Sequence, residues 1–430
     1  MSDTYFTNIR SLLGALAKAL NLINPEMEKH HEQTAYFSYF IGREMGLDEE
    51  TLHTTIYSAL LHDVGSIIME EKVLSVYEIE SNAAEYAQIG ADMLMDLEDF
   101  EEISEVIRYC QSKWIDMETH LNGECDDCVR IASIIHLSDV VSSFLNPNIR
   151  VLNQVNNIID IVKAGSGTEF NPEVIETLIK IKNNEILWLD ALNNPSFLMF
   201  FTGEFHKISL KKTAELTKLI SRIIDYRSSF TAMHSAGVAA VAKKLAELSG
   251  MKEEDCIKME IAGNLHDIGK LVVPRSILEK NGKLTDSEYN VIKEHPYYTR
   301  LVLMDIEGFE EIRDWAGFHH EKLNGRGYPF HIEPSELNKG SRIMAVADIF
   351  SAITEDRPYR AGMSKDKVIA ILNEDVQRGD IDKDIVDLLI NHYDEVDEIR
   401  DFKSKSEGKR YYDYIKNKNV SSLWTDIFVD

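Results

Sequence analysis

One pattern of residues is written twice along this chain, and that limits its folds more than any other feature. The segment Ala59-Leu-Leu-His62-Asp63-Val-Gly65 returns as Gly263-Asn-Leu-His266-Asp267-Ile-Gly269. Each His-Asp pair has a histidine 32 residues upstream, His30 in the first copy and His234 in the second. Phe100-Glu-Glu-Ile103 then matches Phe309-Glu-Glu-Ile312, and the stretch ending in Asp139 matches the one ending in Asp348. Finally Phe170-Asn-Pro-Glu-Val-Ile matches Ile381-Asp-Lys-Asp-Ile-Val. The offset drifts from 204 to 209 to 211, so two small insertions keep all five matches in order. The chain therefore reads as a tandem duplication, with one domain over residues 1–205, a second over 206–430 and a join near 195–215. Each copy is as long as an ordinary domain and must bury its own core.

Both copies carry helical rather than strand periodicity. After His234, Val238, Val241, Ala242 and Leu245 follow the spacing of a one-sided helix. Ile257, Ile261 and Leu265 form a second stripe that delivers His266 to a buried face. Gly and Pro gather at a few breaks, at Pro296, at Asn324 to Pro329 and at Asn194-Pro195. The expected class is all-α, a multi-helix domain repeated in tandem.

Composition narrows the partners. Net charge is −27 over 430 residues, which repels polyanions at long range and excludes polymeric DNA or RNA. A small anionic substrate stays open if metals and a few placed cations reverse the sign locally. No apolar run reaches membrane-spanning length, and the start at Met1 lacks a secretory pattern, so the expected place is the cytoplasm. Cys125 and Cys128 form a lone C-x-x-C without the second pair of a zinc knuckle, and Cys110 and Cys256 stand apart. They read as surface-loop and isolated thiols of a reducing compartment.

The chemistry gathers in the second copy. His266-Asp267 ends an apolar helix, His295 precedes Pro296, His319-His320 precedes Glu321, and Asp348 follows the apolar run from Ile343. Imidazole with carboxylate suits a divalent transition ion, iron or manganese first and zinc also. Taken singly, each residue has a bland role as a cap, a surface pair or a helix end. Together with His234 they make seven donors, more than one four-coordinate ion needs, which points to two metals bridged by a shared carboxylate.

The order His234, His266-Asp267, Asp348 resembles the HD superfamily of phosphohydrolases. His266-Asp-Ile-Gly-Lys270, His295-Pro296, His319-His320-Glu321, Gly327-Tyr328-Pro329 and Asp356-Arg357-Pro358-Tyr359-Arg360 resemble its HD-GYP subfamily, over residues 230–360. The resemblance implies a cyclic di-GMP phosphodiesterase that yields linear pGpG and in some members GMP. It implies water activated by two divalent metals. His234, His266, Asp267 and Asp348 would hold one metal, and Asp267 would bridge to a second held by His295, His319 and His320. Some members hold a third metal through a glutamate four residues before the first histidine; Phe230 stands there, so two are expected. Lys270 would neutralise a phosphate oxygen, and Arg357 and Arg360 would contact phosphates and guanines. Tyr328 would face the substrate, pack within its loop, or meet a signalling protein at the Gly327-Tyr328-Pro329 loop. Asn324 replaces the aspartate of most relatives, a change expected to touch the loop rather than the metals.

The first copy keeps His30, His62, Asp63 and Asp139, the ligands of a single-metal site. His295 corresponds to about Tyr86, His319-His320 to Cys110-Gln111, and Lys270 to Ser66. Cyclic dinucleotide hydrolysis is therefore not expected there. A degenerate scaffold, a vestigial one-metal site and a regulatory sensor all remain open for it. For the whole chain, rivals to cyclic di-GMP hydrolysis are a phosphodiesterase for 3′,3′-cyclic GMP-AMP and a non-catalytic adaptor that binds the dinucleotide. A nucleoside-phosphate phosphohydrolase of the wider superfamily is a further rival.

Overall fold

The computed structural model describes residues 5–23, 29–68, 76–95, 99–118, 126–193, 207–225, 233–280, 282–355 and 361–417. It is all-α in two tandem units, and a two-stranded ribbon is the sheet found among the described residues. One unit is Ile9–His206, and the other is Lys207–Asp430 together with Met1–Asn8. Those first residues, which the repeat assigns to the first copy, thus belong to the second unit. Tyr5–Asn8 pairs antiparallel with Lys207–Ser209, with Thr7 opposite Ile208 and Asn8 opposite Lys207. The ring of Phe6 lies 5.9 Å from that of Phe309. A strand this short has no periodicity to read, and its partner is some 200 residues away, so local pattern does not reveal the pairing.

The repeat is carried by equivalent elements. His30–Glu44 corresponds to His234–Leu248, and Glu49–Leu61 to Glu253–Leu265. The 3-10 turns Val64–Ile68 and Ile268–Val272 follow. Glu101–Tyr109 then matches Glu310–Gly317, and Asp126–Ser143 matches Lys339–Thr354. Pro172–Ile181 and Lys383–Asn391 open on Asn171 and Asp382, whose side chains accept first-turn amides as N-caps do.

In the second unit Val238, Val241, Ala242 and Leu245 are fully buried, as their spacing predicts. The next helix departs from expectation: Ile257 is half-buried, and Cys256, Met259, Ile261, Ala262 and Leu265 face inward. This helix is covered by 210–225, 234–248 and 310–317 together, so its buried arc is wider than one stripe. Pro296 opens the helix His295–Leu303 instead of ending one. In the first unit, Trp188 is fully buried against Phe37, their centroids 5.3 Å apart, and its Nε1 donates to the Lys182 carbonyl at 2.9 Å. Cys128 is not a loop thiol: it is buried on the helix Asp126–Ser143 and disulfide-bonded, while Cys125 lies outside the described residues. Among the described residues, no helix is long and apolar enough to cross a membrane.

Candidate metal centre

Helix ends aim most of the seven donors. His234 begins the helix 234–248, His266 caps the end of 253–265, and Asp267 precedes the 3-10 turn. His295 begins 295–303, and His319-His320 follow 310–317. Asp348 sits within 339–354 rather than at its end. The turn after Asp267 rests directly on the helix of His295. A Cβ on Gly269 would lie 2.0 Å from the His295 carbonyl oxygen, so only glycine fits. Thr299 fastens this contact, its hydroxyl donating to the His266 carbonyl at 2.8 Å and accepting from Gly269 N at 3.1 Å.

The donors form two groups that meet at Asp267. His234, His266 and Asp348 make one and His295, His319 and His320 the other, and a third cluster of His266, Asp267 and His319 joins them. His234 Nε2 lies 3.1 Å from Asp348 Oδ1. Asp267 turns Oδ2 to His266 Nε2 at 3.2 Å and Oδ1 to His295 Nε2 at 3.4 Å, one oxygen toward each group. Lys270 Nζ sits 2.6 Å from Asp267 Oδ2.

The ring orientations leave donor atoms that could hold a metal ion. His266, His295 and His319 donate Nδ1–H to the carbonyls of Gly263, Ile292 and Ala316 at 2.8, 2.7 and 2.6 Å. His234 Nδ1 faces Glu355 Oε2 at 3.2 Å. In His266, His295 and His319 the carbonyl partners fix the tautomer and leave Nε2 as a lone pair pointing inward. His266 Nε2 is buried without a hydrogen-bond partner among the described residues. His295 Nε2 and His319 Nε2 face each other at 3.1 Å, and with both Nδ1 protons committed neither neutral ring has a proton to share. Burial holds the imidazoles of His295 and His320 down near pH 3 and that of His319 well below its ordinary value. Two converging lone pairs that cannot share a proton fit a shared cation. Asp267 and Asp348 are held well below the usual carboxylate range: burial opposes this, but His266 and Lys270 lower the first, and His234 and His320 the second. His234, where burial is outweighed by Asp348 and Glu355, is pushed up to about 10.

The Gly327-Tyr328-Pro329 loop is built on Glu321. Its buried carboxylate accepts from the amides of Phe330, His331 and Ile332 at 2.8, 3.2 and 3.1 Å. Gly327 passes so close that a Cβ would lie 2.4 Å from the Glu321 Cα. The half-buried Tyr328 ring then lies on His320, with centroids 4.8 Å apart. Asn324 holds the loop to the following segment, donating to Asp380 Oδ1 at 2.6 Å and the Arg378 carbonyl at 3.2 Å. An aspartate there would set a carboxylate against Asp380. Phe230, Arg357 and Arg360 lie outside the described residues.

In the first copy, His30 Nε2 lies 3.0 Å from Asp139 Oδ1, and His62 Nε2 lies 3.3 Å from Asp63 Oδ2. A Cβ on Gly65 would lie 2.1 Å from the Tyr86 carbonyl, the contact Gly269 makes with His295, so Tyr86 stands where His295 does. Cys110 donates to the Ile107 carbonyl at 3.1 Å, as His319 does to Ala316. Gln111, in the place of His320, donates to Asp139 Oδ2 at 2.9 Å. The positions of three donors thus hold a phenol, a thiol and an amide.

Structural partners not singled out from sequence are Thr299, Glu355 and the buried pair Ser235–Asp225, with Oγ to Oδ1 at 2.9 Å. Two were signalled by spacing, since Thr299 is one turn after His295 and Glu355 two turns after Asp348.

Two HD domains in one chain define the class. A family model described as HD domain matches residues 27–142 and a second matches 218–385, and the chain belongs to the HD-domain family. HD-domain phosphohydrolases are metal-dependent, which agrees with the His/Asp clusters. The chain is 28% identical to 3′3′-cGAMP-specific phosphodiesterase 1 of Vibrio cholerae over 90% of this chain and 92% of that protein. It is 34% identical to a cyclic di-GMP phosphodiesterase response regulator of Xanthomonas campestris over 44% of this chain and 50% of that one. A solved cyclic GMP-AMP specific phosphodiesterase of V. cholerae shares the fold, with a TM-score of 0.63 at 24% identity over 90% of this chain and 98% of that one.

Proposed function

We propose that the second unit is a phosphodiesterase that opens a 3′,3′-cyclic dinucleotide ring at a centre of two divalent metals, iron or manganese. The observation that carries this is Asp267, one carboxylate oxygen facing each donor group. His234, His266 and Asp348 would hold one ion and His295, His319 and His320 the other, with Asp267 between them. Bound metals supply a water that ionises near neutral pH and positive charge for the phosphoryl oxygens. The protein's own part is to fix the tautomers of His266, His295 and His319, and to place the Lys270 ammonium beside Asp267, where it offsets phosphate charge. The motif set supports cyclic di-GMP as substrate and linear pGpG as product. A specific observation favours 3′,3′-cyclic GMP-AMP as a second reading. The V. cholerae relatives matched across both copies, over 90% and 86% of this chain, are cGAMP-specific, whereas the Xanthomonas cyclic di-GMP relative matches 44%. The first copy keeps one donor cluster and holds at most one ion, so it is the regulatory or structural partner.

The test is to load the purified protein with manganese or ferrous iron, count metals per chain by mass spectrometry, and follow both dinucleotides by chromatography. Ring opening of one dinucleotide, with two metals lost on His319→Ala, His266→Ala double substitution, is expected. Protein that holds two metals and cuts neither substrate would leave the adaptor reading in its place.

A further inference from the structure

A path of aromatic rings leads out of the centre, and neither the metals nor Lys270 accounts for it. His320 is the exposed edge of the donor set, with 27% of its side chain accessible, against 4% for His234 and 0% for His295. The Tyr328 ring lies on it at 4.8 Å, and Tyr289 meets Tyr328 edge to face at 6.2 Å. Tyr289 is 45% exposed, and Lys293 Nζ sits 5.3 Å from its ring centroid. Tyr289 is the middle residue of a short helix, Asp286–Ile292, that buries none of its side chains, and Lys293 caps the end of that helix. Such a helix gains little from the core, yet it is anchored at its start. Thr285 and Glu288 form a reciprocal capping box, and Lys280 Nζ lies 2.7 Å from both Glu288 carboxylate oxygens. The result is an aromatic face and an ammonium held at the mouth of the site on a chain whose net charge is −27.

A purine projects outward from its phosphate, and an exposed aromatic face with a nearby cation is what a purine stacks on. We propose that Tyr289, flanked by Lys293, is the stacking platform for one base of the cyclic dinucleotide, and that Tyr328 sets its distance from His320. The inference rests on the proposed function and adds a specificity residue to it.

Wild-type, Tyr289→Phe and Tyr289→Ala forms of the full, metal-loaded chain would be assayed on the cyclic dinucleotide. The second substrate is bis(4-nitrophenyl) phosphate, a phosphodiester without a purine. Binding of a phosphorothioate cyclic dinucleotide would be measured by calorimetry in parallel. Tyr289→Ala is expected to raise KM and weaken analogue binding by roughly 5- to 150-fold, the equivalent of the ~1–3 kcal/mol of one stacked base. Tyr289→Phe should stay near wild type, and turnover of the short diester should be unchanged in all forms. Unchanged KM and binding in Tyr289→Ala, or equal loss on both substrates, overturns the platform. A wild type that cuts the short diester but neither dinucleotide overturns the functional reading instead.

Discussion

Glu321 shows how much one side chain can decide. Its carboxylate accepts three consecutive backbone amides and so fixes the loop that lays Tyr328 on His320. A glutamine has one oxygen in place of two and turns a donor toward those same amides. Glu321→Gln should therefore cost about 1–3 kcal/mol, the penalty of leaving buried polar groups unpaired. The expected outcome is a lower Tm and a raised KM for the dinucleotide, with metal content unchanged, because no donor of the centre is lost. Loss of metal with the loop intact would contradict this division of labour.

At the scale of elements, the long C-terminal helix Tyr393–Asn417 is clamped to Leu210–Asp225 by a bidentate pair. Arg222 donates to both Glu407 carboxylate oxygens, at 2.7 and 3.0 Å, and Lys218 Nζ lies 3.3 Å away. Burial opposes ionisation of Glu407, but Arg222 and Lys218 outweigh it and hold the carboxyl below its ordinary value. A lowered pKa in the folded state means stabilisation that is complete above the ordinary glutamate pKa and lost as pH falls through the depressed value. Glu407→Gln should thus destabilise the second unit at pH 7, by ~3 kcal/mol for a broken buried pair. Melting curves of the two proteins should converge as pH falls below the carboxylate range. A Tm gap that persists there would show that packing, rather than charge, joins these helices.

On the scale of the whole molecule, the duplication provides its own control. Both copies place a His-Asp pair before a 3-10 turn, and both press a glycine onto the next helix. They differ in whether a second donor group faces the aspartate. Asp267→Ala is expected to abolish ring opening, a loss of at least several kcal/mol of transition-state stabilisation. Asp63→Ala should leave kcat for the same substrate within roughly a few-fold, since Tyr86, Cys110 and Gln111 supply no second group. Equal loss from the two, in protein shown folded by circular dichroism, would make both copies catalytic.

Helical class, the duplication and the order of the seven donors were legible in the sequence, because a 3.6-residue period and a repeated spacing are local properties of the chain. Val238, Val241, Ala242 and Leu245 lie where that period puts them. Local properties fail where several elements meet. Met259 and Ala262 are buried outside the predicted stripe because their helix is wrapped by three others, and residues 5–8 join a strand some 200 positions away. The family resemblance already set the seven candidates in two groups with Asp267 between them; the fold adds the distances that turn one Asp267 oxygen to His266 and the other to His295. The three amides on Glu321 and the step from His320 through Tyr328 to Tyr289 are likewise set by the fold. Hydrogen bonds and ring contacts act over a few ångströms in space, and spacing along a chain does not report that distance.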